Sequence, residues 1–159
     1  SFLGQACARK DLCYLIIGDL AYFYDMNAMR IKHINKNVRI LLINNEGGGE
    51  FYYNYTWINK SSDLHTTARH CTKAEGWVKE NGFKYLCAHD KLSFDKAMDE
   101  NSDQPILLEV FTEMSNDAKV LHDFYALSKP VDVKQKGKEV IKGVIGQEAA
   151  KKLKSMFSK

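Results

Sequence analysis

Two apolar runs, each closed by small polar residues, constrain this chain more than any other feature of it. Cys13-Tyr14-Leu15-Ile16-Ile17 leads into Gly18-Asp19-Leu20, and Val38-Arg39-Ile40-Leu41-Leu42-Ile43 leads into Asn44-Asn45-Glu46-Gly47-Gly48. Short apolar runs bounded by turn formers suit buried strands. The stretch between them is long enough for a helix. Over roughly Tyr22 to Ile34 it would rise about 20 Å at about 1.5 Å per residue, a distance that a strand at about 3.3 Å per residue retraces in six residues. With a right-handed crossover the two strands run parallel. Asp19 and Asn45, 26 positions apart, then emerge on one carboxyl edge, where open α/β sheets bind their ligands.

These residue types have a shared chemistry. Mg²⁺ takes oxygen ligands in octahedral geometry, commonly one or two side chains together with phosphate oxygens and water. Asp19 offers a carboxylate oxygen and Asn45 an amide oxygen, and Gly47-Gly48-Gly49 lets the backbone turn sharply enough to present a carbonyl. A helix beginning after Gly18-Asp19-Leu20 adds free amide groups and a positive dipole end, which favour a diphosphate. Spacing alone fits an ordinary βαβ unit equally well. In that unit Asp19 caps a helix and Asn44-Asn45 opens a turn.

The literal residues are more specific. Gly18-Asp19-Leu20-Ala21-Tyr22-Phe23-Tyr24-Asp25-Met26-Asn27-Ala28, followed by Asn44-Asn45-Glu46-Gly47-Gly48-Gly49-Glu50-Phe51, resembles the thiamine-diphosphate motif that opens on Gly-Asp and closes on Asn-Asn. The resemblance is nearest to the 2-succinyl-5-enolpyruvyl-6-hydroxy-3-cyclohexene-1-carboxylate synthase family of menaquinone biosynthesis, with its Tyr-Asp-x-Asn-Ala helix and Asn-Asn-x-Gly-Gly-x-x-Phe exit. It weakens after Phe51. A general pattern of helix, strand, helix and Pro105-Ile106-Leu107-Leu108-Glu109-Val110 then looks like the end of such a cofactor domain.

The resemblance implies that Asp19 and Asn45 hold Mg²⁺ through side chains and Gly47 through its carbonyl. Gly18, Leu20, Ala21 and Gly48 would contact the cofactor, with Glu50 and Phe51 near the thiazolium ring. No catalytic side chain is assigned. Two departures from the pattern bear on the substrate. Leu20-Ala21 lacks the hydroxyl residue that many relatives place after Gly-Asp-x, and Glu50 stands where the menaquinone enzymes have an aliphatic residue. The implied activity is decarboxylation and carboligation of a 2-oxo acid, with 2-oxoglutarate as donor and isochorismate as acceptor in the menaquinone reaction. An acetolactate synthase, a pyruvate decarboxylase-like enzyme and a non-catalytic phosphate-binding regulatory domain are the alternatives. Such enzymes also carry a pyrimidine-binding domain, whose glutamate activates the cofactor across a subunit interface of a homodimer or homotetramer. That domain has no counterpart in these 159 residues, so this fragment is expected to be inactive alone.

Composition sets the frame. At 45% hydrophobic and 27% charged, the chain has the makings of one α/β domain, a mostly parallel sheet with helices on both faces in three layers. The opening Ser1 to Arg9 reads as a helix already under way, which suggests an N-terminally truncated fragment. It lacks the basic start and apolar centre of a signal peptide, so a cytoplasmic location is expected. Cys7, Cys13, Cys71 and Cys87 form no CxxC pair and are expected to be buried thiols.

Helices are expected over Thr72 to Asn81 and Lys91 to Glu100, and strands over Phe83 to Ala88 and Pro105 to Phe111. Glu50 to His70 shows no clear period; with Tyr52, Tyr53, Tyr55 and Trp57 it reads as a loop over the cofactor edge, able to act as a lid. His65 and His70 lie five positions apart, which is not the spacing of a helical metal pair, and neither is assigned a role. Residues 1–128 form the expected cofactor domain and 129–159 a basic helical tail. From Pro130 onward there are eight lysines and three acids. Its lack of arginine and scarcity of aromatics argue for solvated lysines over a nucleic-acid or membrane surface.

Overall fold

The computed structural model describes residues 1–55 and 61–128. Among these residues the α-helices and strands follow one another as α1 (Phe2–Cys7), β1 (Cys13–Gly18), α2 (Asp19–Asp25), β2 (Val38–Asn44), α3 (Gly49–Tyr55), α4 (Ser62–Thr66), α5 (Glu75–Glu80), β3 (Lys84–Ala88), α6 (Lys91–Met98), β4 (Ile106–Phe111) and α7 (Met114–Ser128). The four strands form one all-parallel sheet in the order β1-β2-β4-β3, with helices around it. The expected α/β fold is therefore present. The chain divides into two units at His122–Asp123, and the sheet and all that follows belong to the first.

Strand burial follows position in the sheet. β2 and β4, each with two neighbours, are buried along most of their length, whereas β1 alternates and leaves Tyr14 and Ile16 exposed. Parallel strands covered on both faces carry near-continuous apolar sequence, and Val38-Arg39-Ile40-Leu41-Leu42-Ile43 reads that way. The main core gathers Leu3, Tyr22, Met29, Ile40, Leu42, Val78, Phe83 and Leu107 from α1, the α2 region, the sheet and α5.

The crossover helix is shorter than its expected span of Tyr22 to Ile34. α2 covers seven residues and passes into a 3-10 turn, Met26–Arg30. That turn is pinned sideways: the Trp77 indole N–H donates to the Met26 carbonyl at 2.9 Å, and the Tyr22 hydroxyl lies 2.9 Å from Met29 Sδ. Tyr22 is held well above the ordinary phenol range, first by burial and then by the charge of Glu109. The later elements match their expected places to within three residues at each end. α6 begins where Asp90 accepts from Ser93 N and the Ser93 hydroxyl faces back to Asp90 N, a reciprocal cap. Gly82, at φ 79°, ends the turn after α5.

Two further expectations are corrected. The Glu50–His70 stretch is not a continuous loop, because its described parts form α3 and α4; Trp57 lies outside the described residues. The cysteines are not buried: all four are free, Cys7 and Cys13 are partly covered, and Cys71 and Cys87 are exposed. Cys87 sits on β3, an outer strand with one neighbour. The basic tail, 129–159, also lies outside the described residues. Among the described residues no helix is long and apolar enough to cross a membrane.

Candidate functional site

The β1–β2 register pairs Gly18 with Ile43, so the chain leaves both strands side by side at Asp19 and at Asn44–Asn45. Gly18 precedes α2 and supplies no side-chain cap, and Asp19 occupies the first helical turn. Its carboxylate does not merely cap that helix. Oδ1 accepts from Leu20 N at 2.6 Å, while Oδ2 reaches across to Gly47 N at 2.9 Å. Asp19 is 2% exposed. The buried carboxylate thus ties the end of β1 to the glycine loop after β2 by hydrogen bonds to backbone N–H groups.

The two asparagines divide the work. Asn44, fully buried, opens the turn by accepting from Glu46 N at 3.2 Å, and its amide donates to Thr72 O and to Glu109 Oε1. Asn45 instead donates to Asp117 Oδ2 at 3.2 Å. Its amide oxygen has no hydrogen-bond partner among the described residues.

Gly47 could carry no side chain. Its φ is 154°, and a Cβ there would lie 2.6 Å from Thr67 O and 2.8 Å from Met114 Cε. The loop is closed against the segment after α4: Gly48 N donates to Thr67 O at 2.7 Å and His70 N to Glu46 O at 3.1 Å. The Gly47 carbonyl accepts from Gly49 N at 3.1 Å, which leaves it a second lone pair. Leu20 lies against Gly48, and Ala21 is exposed. Glu50 and Phe51, in the first turn of α3, are both exposed.

The same segment brings in His70. Its Nδ1 accepts from Thr72 N at 3.1 Å, so its proton is on Nε2. That Nε2 lies 3.2 Å from Asp19 Oδ2 but off the line of a hydrogen bond, and it is buried with no hydrogen-bond partner in the structure. Phe23 packs edge-on against the ring at 5.4 Å. His65, by contrast, is exposed in α4.

Below the loop, Glu109 on β4 is wholly buried and collects donors from three elements: Asn44 Nδ2 at 2.7 Å, Ala74 N at 3.2 Å and the Tyr85 hydroxyl at 2.7 Å. Burial and the bond to Glu109 push the Tyr85 phenol far above its ordinary range. Glu109 therefore locks β2, β3, β4 and the Thr72–Ala74 turn together at the edge that carries the site.

His70, Asp117 and Glu109 are the residues that the sequence reading did not assign. Glu109 and Asp117 share one legible signal. Each is an acid on a strand or helix start that the parallel topology brings to the same carboxyl edge.

Among the described residues no three His, Cys, Asp or Glu side chains gather as a metal site. The oxygens at this loop are one carboxylate, one amide and main-chain carbonyls. A hollow of about 830 Å³, lined among others by Lys10, Lys36, Arg39 and Lys84, lies at the opposite, amino edge of the sheet. Lys10 and Lys36 there are exposed and Lys84 is half-buried, and nothing links the hollow to the Asp19 loop.

Known proteins match most of the chain. The 2-succinyl-5-enolpyruvyl-6-hydroxy-3-cyclohexene-1-carboxylate synthase of Bacteroides fragilis is 43% identical over 130 residues, 77% of this chain and 23% of the relative. The protein of that name from Phocaeicola vulgatus is 42% identical over the same shares. That of Staphylococcus haemolyticus is 55% identical over 52 residues, 32% of this chain and 9% of its own length. No protein-family model matches the chain. The chain spans about a quarter of the length of the first two relatives. Over about three quarters of its own length, this chain is homologous to part of the 2-succinyl-5-enolpyruvyl-6-hydroxy-3-cyclohexene-1-carboxylate synthases.

Proposed function

We propose that the chain is the cofactor-gripping part of a thiamine-diphosphate-dependent carboligase related to these synthases, and that Gly18 to Phe51 hold the Mg²⁺–diphosphate end of the cofactor. The observation that carries this reading is the Asp19–Gly47 tie. It brings the buried Asp19 carboxylate beside the loop that carries the Asn45 amide oxygen and the Gly47 carbonyl.

The donor set fits the group. Hard oxygens with one carboxylate suit Mg²⁺, which keeps waters and phosphate oxygens for its remaining positions. The glycine loop has room for backbone only, and its Gly47–Gly49 N–H groups are taken by Asp19, Thr67 O and Gly47 O, so the loop is fixed with main-chain carbonyl oxygens left as ligands. The buried, unpartnered Nε2–H of His70 supplies a donor suited to an anionic oxygen. Asp19, Asn45 and Gly47 would hold the metal, and Leu20, Ala21 and Gly48 would meet the diphosphate. Glu50 and Phe51 would lie toward the thiazolium. When bound, the cofactor supplies a ring that stabilises the carbanion left after a 2-oxo acid loses CO₂.

The contribution of this chain is orientation: Asp19 and the glycine loop fix one end of the cofactor, and Glu109 fixes the strands beneath them. The activating glutamate would come from a pyrimidine-binding domain outside these residues, in a homodimer or homotetramer. A cytoplasmic setting and a menaquinone pathway role belong to the same reading. The relatives named above carry one name, which favours a synthase of that kind over an acetolactate synthase, a pyruvate decarboxylase or a regulatory phosphate-binding domain.

The melting temperature of the chain tests this reading. Mg²⁺ and thiamine diphosphate together are expected to raise it, because a ligand that binds only the folded state stabilises that state. Asp19→Ala is expected to abolish the rise. An unchanged melting temperature at saturating cofactor would count against cofactor binding by this chain.

A further inference from the structure

An asparagine that is to ligate a cation must present its oxygen, and an amide can turn either end toward a ligand. At Asn45 a neighbour settles which end is free. The amide nitrogen lies 3.2 Å from Asp117 Oδ2, and an ionised carboxylate can only accept. A flipped amide would set oxygen against oxygen at the same distance. Asp117 is itself held, since the Thr112 hydroxyl donates to the same Oδ2 at 2.7 Å. Thr112 N in turn donates to Asn44 O at 3.1 Å, which continues the β2–β4 register beyond the last strand pair. Gly49 leaves the space: a Cβ there would lie 2.7 Å from Asn45 Nδ2.

We infer that Asp117 is a positioning residue, which fixes the Asn45 amide so that its oxygen is the atom left to bind a divalent cation. This rests on the reading of Asn45 as a ligand given above. Thr112 acts through Asp117, and Gly49 gives the amide nitrogen room to meet it. The chain Thr112–Asp117–Asn45 runs from the end of β4 through the first turn of α7 to the end of β2. It therefore couples a helix start to the ligand loop without touching the ligand.

Asp117→Asn tests the inference, because it keeps the shape but can both donate and accept, so Asn45 no longer has an obligatory orientation. Two readouts separate the inference from the reading beneath it. The first needs no ligand. In the ¹⁵N-labelled wild-type chain one Asn45 side-chain amide proton is expected well downfield of its geminal partner, as for a bond to a carboxylate, and this splitting is expected to collapse in Asp117→Asn. The second is calorimetry of thiamine diphosphate with Mg²⁺, where the variant is expected to bind about tenfold more weakly, the lower end of the usual effect of residues that orient metal ligands. Thr112→Val is expected to move both readouts in the same direction and by less, and it serves if Asp117→Asn does not fold.

An unchanged Asn45 splitting overturns the inference whether or not cofactor binds. Unchanged affinity with a collapsed splitting overturns it too. Absence of binding by the wild type contradicts the proposed function and leaves the splitting to decide the orientation.

Discussion

His70 Nε2 sits 3.2 Å from Asp19 Oδ2, 51 positions away in sequence, yet it makes no hydrogen bond to that carboxylate. Its other ring nitrogen is taken by Thr72 N. A buried donor without a partner costs stability in the free protein, and such a group in a native structure calls for a ligand or a strain.

His70→Phe separates these costs. The ring volume is kept and the unpartnered donor removed, so the free protein is expected to unfold within about 1 kcal/mol of the wild type. Affinity for thiamine diphosphate with Mg²⁺ is expected to fall roughly tenfold to a hundredfold, the size of one lost hydrogen bond to a charged group. Denaturant titration and calorimetry on the same preparation check both. A large loss of stability with unchanged affinity would make His70 purely structural.

The glycine loop gives a sharper contrast between two alanine substitutions. Gly47→Ala meets Thr67 O at 2.6 Å and Met114 Cε at 2.8 Å with φ at 154°. It is expected to cost about 2–4 kcal/mol through overpacking and backbone strain. Gly76, within α5, has open space around its Cβ position. Gly76→Ala is expected to be neutral or to stabilise by up to about 1 kcal/mol. Equal effects at the two sites would contradict the packing described for the loop.

Glu109 predicts an ordered series at the centre of the edge. Glu109→Ala strands three buried or partly buried donors, on Asn44, Ala74 and Tyr85, and is expected to cost about 3 kcal/mol or more. Tyr85→Phe removes one donor and leaves the carboxylate its others, with an expected cost of about 1–2 kcal/mol. Denaturant midpoints order the variants, and a Tyr85→Phe loss as large as that of Glu109→Ala would contradict the network.

Acid is expected to loosen the segment that closes the loop. Arg69 Nε and Nη2 donate to the Asp63 carboxylate at 3.0 Å, which holds its pKa below the usual range, and the Thr67 hydroxyl adds a further bond. A carboxyl with a lowered folded pKa contributes stability that is complete above its unfolded value, about 3.9, and is lost as pH falls through the folded value. The Arg69 Nε–H resonance is expected to hold its position from pH 7 to about 4 and to move only below that. Movement centred near pH 6 would assign the change to another group.

The parts of this structure that were legible in the sequence are those where neighbours in space are neighbours in pattern. β1, β2 and their shared edge followed from two apolar runs and a crossover length, and Asp19 and Asn45 emerge there as expected. The crossover helix is shorter than the length between the strands allows, because Trp77 and Tyr22 hold Met26 and Met29 in a 3-10 turn through contacts that chain length does not record. α3 and α4 were missed because their half-exposed aromatic and polar residues show no single apolar stripe. His70, Glu109 and Asp117 act through contacts 51, 65 and 72 positions long. No local pattern records such pairings.

The most direct measurement is a crystal structure of the chain grown with thiamine diphosphate and Mn²⁺ in place of Mg²⁺, read by anomalous scattering. An anomalous peak is expected within ligand distance of Asp19, Asn45 Oδ1 and the Gly47 carbonyl, with the diphosphate against the Leu20–Ala21 and Gly48 backbone. Ordered cofactor elsewhere, or a folded protein whose Asp19 loop holds neither metal nor diphosphate, would contradict the proposed function.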